Sequence, residues 1–425
     1  MDRDGFSRAL HQGLGRAVLY ARNHDVSDFR DVILDGCLHC HVFDPQSEGI
    51  RAAYMLDLLE GLADKQFCCE EVLKSLPACG DDWDAVHRFY FAACLAREGF
   101  AGAKRAMYES YRPGLTHGES IAIDFVEMDG LEGMLFAVEK LRALAMAEGS
   151  DLDLSYLLSQ SIELCGEQET LDALRAAGQQ NPQVEAFRLA AGAEQERRAT
   201  RDDERDRINA LSYEQLKREL PAMKLYQLWA WGERASDEDI ERAAQGLNAA
   251  RDPGDQLAHL RIFTRRRFPI DHSVLLRLAA SDETRIACAA AKALAHIAHP
   301  SVRELALRLF RNRLPGRRDA IELLGLNFEP GDHDMVLGWF EAEDDPEVVH
   351  SMGMDLKDFW DLHPGDGTAV RMLRALYEKG PCSFCRDGAV RRLIERGALS
   401  DEMRQECVWD GNEDIRKLVA SPAPS

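Results

Sequence analysis

Two short stretches of this chain carry side chains at the spacing of ligands. The first is Cys37-Leu-His-Cys40-His41. Thiolate and neutral imidazole are the donors zinc takes in tetrahedral sites, so Cys37, Cys40 and His41 form a metal-type set. The same letters match the C-x-x-C-H pattern of covalent haem attachment. That chemistry requires export, and the start MDRDGFSRAL has neither the basic residues nor the apolar run of an export signal. On a helix, Cys37 and His41 are i,i+4 neighbours in its last turn. A packed helix end is therefore the expectation, and a metal set the alternative.

The second stretch is Pro381-Cys382-Ser-Phe-Cys385, followed by Cys407. Cys382 and Cys385 supply half of a tetrahedral zinc site and Cys407 offers a third thiolate, but no clear fourth ligand accompanies them. His363 is the nearest histidine, beyond a loop rich in chain breakers. A redox pair is disfavoured, because the C-x-x-C of thioredoxin-like proteins sits in a βαβ context. Free cysteines are usually buried, so packing is the expectation for all three. Neither a metal nor a cofactor is expected.

A basic run stands out in an otherwise acidic chain: Arg261, Arg265, Arg266 and Arg267, then Arg303, Arg308, Arg311, Arg313, Arg317 and Arg318. Arg261, Arg265, Arg311 and Arg317 are candidate binding-surface residues, able to meet phosphates, nucleic acid or an acidic protein surface. The competing expectation is a set of ion pairs with neighbouring Asp and Glu. In Leu-Tyr-Gln-Leu-Trp229-Ala-Trp231, helical spacing sends Leu225, Leu228 and Trp229 inward and leaves Trp231 more exposed, a further surface candidate, with packing in the core as the safer expectation. No Gly-rich phosphate loop, G-x-S-x-G or H-E-x-x-H is present, and nothing nominates a nucleophile with its base. No catalytic residue is named, and a non-enzyme is expected.

The elements that position these residues are helices. Ala, Leu, Glu and Arg dominate while β-branched runs are scarce, which predicts an all-α chain. At 425 residues it is longer than the ~100–200 of one typical domain, so several domains or one repeat array is expected. Predicted helices include Phe6–Asn23, Leu131–Glu148, Lys224–Arg234 and Gln256–Arg267. Between Ala193 and Arg207, eleven of fifteen residues are charged. That stretch is read as a charged linker or exposed helix extension, separating an N-terminal helical domain (1–192) from a C-terminal repeat domain (208–425).

The clearest helix pair spans Asp282–Phe310, broken at His299-Pro300. Ala287, Ala290 and Ala293 are small where another helix must approach, and Ile286, Leu294, Ile297, Leu305 and Leu309 form the apolar stripe. Its Asp-x-x-Arg opening and Val-Arg-x-Leu second helix resemble one HEAT repeat. Arg285, Arg318, Val348, Arg386 and Ile415 recur at comparable places, 33, 30, 38 and 29 residues apart. The resemblance implies an α-solenoid of stacked antiparallel helix pairs, a HEAT or armadillo-like superhelix. It also implies a job: a scaffold or adaptor offering a concave surface to a protein partner, whose identity the sequence does not supply. The alternative it implies is a nucleic-acid-binding enzyme like the HEAT-like DNA glycosylases.

Charge weighs against that alternative. With 52 Lys and Arg against 74 Asp and Glu, the net charge of −22 repels phosphate backbones and anionic lipid. Nucleic acid is a disfavoured partner and a membrane is not expected. Eleven cysteines, an odd number, suit free thiols in a reducing compartment, so a cytoplasmic location is expected.

Overall fold

The computed structural model describes residues 1–79, 83–112, 117–148, 155–312, 319–363 and 367–420. Every regular element among them is helical, with no strand, as the composition predicts. In chain order the helices begin with α1 (Arg3–Gln12), α2 (Gly15–Asn23), α3 (Arg30–Leu38), α4 (Pro45–Glu48), α5 (Ala52–Leu59) and α6 (Lys65–Ser75). They continue with α7 (Trp83–Arg97), α8 (Ala103–Ser110), α9 (Gly118–Asp129), α10 (Leu131–Glu148), α11 (Ser155–Cys165), α12 (Glu167–Gly178) and α13 (Pro182–Asn209). The next are α14 (Tyr213–Glu219), α15 (Leu225–Arg234), α16 (Asp237–Ala249), α17 (Pro253–Ile262), α18 (Ser273–Ala279), α19 (Thr284–Leu294) and α20 (Pro300–Asn312). The last are α21 (Ala320–Gly325), α22 (Asp332–Ala342), α23 (Pro346–Leu362), α24 (Gly367–Lys379), α25 (Ser383–Glu395), α26 (Asp401–Cys407) and α27 (Glu413–Ala420).

Two boundaries differ from the sequence reading. Phe6–Asn23 is two helices, because Gly13 takes a left-handed turn at φ 72° that ends α1 with no proline to announce it. The helix expected over Gln256–Arg267 starts earlier and stops at Ile262. The charged stretch 193–207 lies inside α13, a helix of 28 residues. Mixed-sign charges at helical spacing hold that part together, with Arg205 2.9 Å from Asp202 and Arg207 2.7 Å from Glu204.

The chain forms two compact units. The first gathers Met1–Arg198 with Cys382–Asp387 and Arg396–Ser425; the second is Ala199–Pro381 with Gly388–Glu395. In the first, α5, α7, α9 and α11 pack each on the next around Phe89, Phe125, Met134 and Leu157. Residues late in the chain join its earliest helices. Arg16 bonds Glu406 at 3.0 Å, the Gly411 amide donates to the Gly13 carbonyl at 2.7 Å, and Arg22 lies over the Trp409 ring. Inside, Arg386 grips both oxygens of Asp410 at 2.9 Å with neither side chain exposed. Glu48 takes Arg51 at 3.0 Å and the Ser383 amide at 2.6 Å on one oxygen.

In the second unit, α15, α17, α19, α21 and α23 form a row in which each helix packs on the next. The two helices of Asp282–Phe310 are α19 and α20, and the eight small and apolar residues expected inside are all buried. Polar links here join helices 20 to 46 residues apart, from Trp231 with Leu211 to Tyr213 with His259, and three fall near 30: His296 to Thr264, 32 residues away, Arg266 to Asp237, 29 away, and Arg303 to Asp332, 29 away.

Candidate functional site

The row in the second unit carries a groove of about 560 Å³. Trp229 of α15, Arg265 beyond α17, Lys292 of α19 and Ile321 of α21 contribute to its wall, and Phe359 and Leu362 of α23 close it. It is open to solvent and holds two exposed leucines, Leu326 at 46% and Leu362 at 53%. The charge along it is not uniform. Arg265 and Lys292 stand toward α17 and α19, Glu322 and Asp355 toward α21 and α23. Arg265 is braced by Trp229, over whose ring its guanidinium sits at 5.1 Å, and by Glu233 at 3.4 Å. The His296 ring bonds the Thr264 carbonyl at 2.9 Å and the His363 ring bonds the Gly325 carbonyl, which fixes the turns on either side.

The expected arginine stripe divides. Arg266 bonds Asp237 at 2.6 Å, and Arg303 bonds Asp332 at 2.6 Å and Glu329 at 3.0 Å, so these cations are spent within the fold. Arg265 lines the groove. Among the described residues, Arg261 and Arg311 have no carboxylate within ion-pair distance. Arg261 is partly buried near the charge of Arg285, and both effects lower its pKa, burial the more. Arg317 lies outside the described residues, as do Arg313 and Arg318.

The expected exposure of Trp231 is corrected. Trp231 is fully buried and its indole donates to the Leu211 carbonyl at 2.8 Å, while Leu225 is 37% exposed. The buried stripe of α15 is Leu228, Trp231 and Gly232. Gly232 marks that face: a Cβ there would sit 2.2 Å from the Ile262 carbonyl oxygen, so α17 crosses on this side and takes Trp231 with it. Trp231 is core, not a surface anchor, and the groove-lining tryptophan is Trp229.

Of the ligand-spaced cysteines, Cys37 is fully buried beside Cys68, whose thiol, together with burial, pushes the Cys37 pKa well up. Cys40 is half-buried, and burial raises its pKa too. His41 turns away from both, its Nε2 2.8 Å from Asp35. Cys382, Cys385 and Cys407 are all buried, and the Cys385 thiol beside Cys382 draws the Cys382 pKa down to about 6. Among the described residues Cys407 does not complete a three-ligand group with them.

Of the groove residues that sequence reasoning missed, Phe359 and Leu362 share one turn of α23, whereas Leu326, at the end of α21, lies 33 residues before Phe359, and no local pattern marks it as their neighbour. Among the described residues no helix is long and apolar enough to cross a membrane. No family model matches the chain, and no curated protein and no solved structure matches it either.

Proposed function

We propose that this chain is a non-enzymatic scaffold whose second unit, an array of HEAT-like helix pairs, binds an extended segment of a partner protein in the groove from Trp229 to Leu362. The observation that carries the reading is the row of successive helices whose groove presents two solvent-exposed leucines, Leu326 and Leu362, at the end that also carries Glu322 and Asp355, with Arg265 and Lys292 at the other. Repeat arrays use such surfaces for extended ligands because equivalent positions of successive repeats lie side by side. The recurring separation of about 30 residues between bonded partners supports the same architecture. The partner segment carries apolar side chains for the leucines and Phe359, and an acidic side chain where it meets Arg265 and Lys292.

A peptide-display library screened against the purified full chain tests this, alongside DNA and RNA shift assays. The expected result is enrichment of peptides with apolar anchors flanked by an acidic residue, whose binding falls at least tenfold in Leu326→Asp and Leu362→Asp. Those variants are surface changes, and their helix content should match the parent. A salt-sensitive nucleic-acid shift abolished by Arg261→Glu with Arg311→Glu, and no peptide enrichment, would replace the scaffold with the nucleic-acid reading.

A further inference from the structure

In the first unit, three imidazoles and two carboxylates converge where the end of α1 meets the turn after α3. His11 is in the last turn of α1, Asp35 is on α3, and His39 to His41 follow it. Asp35 Oδ2 lies 2.8 Å from His41 Nε2 and 3.6 Å from His11 Nε2, and the three donor atoms fall within 4.8 Å of one another. The His11 and His41 rings stack with centroids 3.8 Å apart, so both turn the same nitrogen toward one carboxylate oxygen. His11 Nε2 is buried, and Asp35 is its nearest carboxylate, just beyond ordinary hydrogen-bond distance.

The surroundings orient these groups further. His39 Nδ1 lies 2.6 Å from Asp84 Oδ2, and the other Asp84 oxygen accepts the Cys40 amide at 2.7 Å. That contact holds the proton on Nδ1 and leaves His39 Nε2 facing Asp35 Oδ1 at 3.9 Å. The His11 backbone is anchored too: its carbonyl accepts from Arg51 at 2.7 Å, and the Arg51 charge is balanced by Glu48.

We propose that His11, Asp35 and His41 bind one divalent first-row transition-metal ion, with zinc as the probe and water in the fourth position. In a tetrahedral zinc site with bonds of ~2.0–2.1 Å, neighbouring ligand atoms stand about 3.3 Å apart. The distances from Asp35 Oδ2 to His41 and His11 bracket that value, and because an imidazole binds a metal in its own plane, the two stacked rings splay apart for both nitrogens to reach one ion. The ion takes the place of the proton on His41 Nε2, which leaves to solvent or moves to Nδ1. Two imidazoles and one carboxylate suit zinc and its neighbours, whereas calcium and magnesium take oxygen ligands. Beside these groups lies a hollow of about 10 Å³, room for something water-sized, lined by His11, His39, His41 and His87 with Gly36, Met55 and Arg51, while Asp35 stands outside it. Asp35 is 45% exposed along its side chain, which leaves an entry path.

The test uses the full chain in a Cys382→Ser, Cys385→Ser background, stripped with chelator and titrated with zinc and with cobalt. The expected result is one equivalent bound, with cobalt giving the absorption of a nitrogen and oxygen site and no sulfur-to-cobalt charge transfer. Asp35→Asn and His41→Gln each weaken binding at least a hundredfold. Circular dichroism checks the fold, and His11→Gln carries the same test if Asp35→Asn unfolds. Failure to retain zinc, affinity unchanged in the His and Asp variants, or a thiolate band would each overturn the site.

Discussion

The two units handle charge differently. In the first, Arg386 and Asp410 are paired with no exposure at all, and Glu48 unites Arg51 with the Ser383 amide, 335 residues away in the chain. In the second, Arg265 with Glu233 and Arg266 with Asp237 lie at the surface, and the deepest pair named, Arg303 with Asp332, buries only its carboxylate. An exposed pair adds little because water already solvates both ions, whereas a buried one must keep both partners or strand a charge in a poor solvent. Long-range order in the first unit therefore hangs on a few side chains, while the second spreads it over repeated apolar contacts.

The comparison breaks if the largest effect fails to appear. Asp410→Ala should cost about 3–5 kcal/mol by removing the carboxylate that balances the buried Arg386 guanidinium, read as a lower urea midpoint or failure to fold. Trp231→Phe in the second unit should cost roughly 1–3 kcal/mol, since the Leu211 carbonyl loses its donor. Helix content should survive, and a cost equal to that of Asp410→Ala would erase the contrast.

Asp124 sharpens the first unit's side of it. Its carboxyl is buried, and burial, reinforced by the Glu127 charge, raises its pKa well above 3.8. The native state then holds the proton more tightly than the unfolded chain. Stability from this group is full below about pH 3.8 and falls as pH rises toward the raised value. Asp124→Asn should flatten that decline and raise the melting temperature at neutral pH; an unchanged pH profile would contradict the assignment. The smallest effect is expected for Arg266→Ala, whose Asp237 partner is almost wholly exposed. It should shift stability by no more than about 1 kcal/mol, and 1 M salt should remove most of that.

The same contrast governs what was legible beforehand. Leu131–Glu148 and the pair in Asp282–Phe310 were readable because apolar spacing and breakers are local signals. The break inside Phe6–Asn23 was not, since a left-handed glycine between two amphipathic helices looks like a tolerated helical residue until its φ is known. In α15, counting inward positions from Leu225 exchanged Trp229 for Trp231, because only the crossing of α17 at Gly232 says which side is inside. His41 was noticed for its cysteine neighbours, yet its partners Asp35 and His11 lie six and thirty positions away and are invisible to a spacing motif. The arginines were noticed as a run, but whether each meets a carboxylate depends on neighbouring helices.

The bond between Arg16 and Glu406 spans 390 residues. On a ribosome adding ~5–20 residues per second, the glutamate emerges roughly 20–80 s after the arginine. For that interval α2 and α5 have their late-arriving neighbours missing, and the helices between them are synthesised in the meantime. The unit begun first is thus the one finished last, and the N-terminal helices are the stretch most in need of a chaperone's cover while the chain is being made.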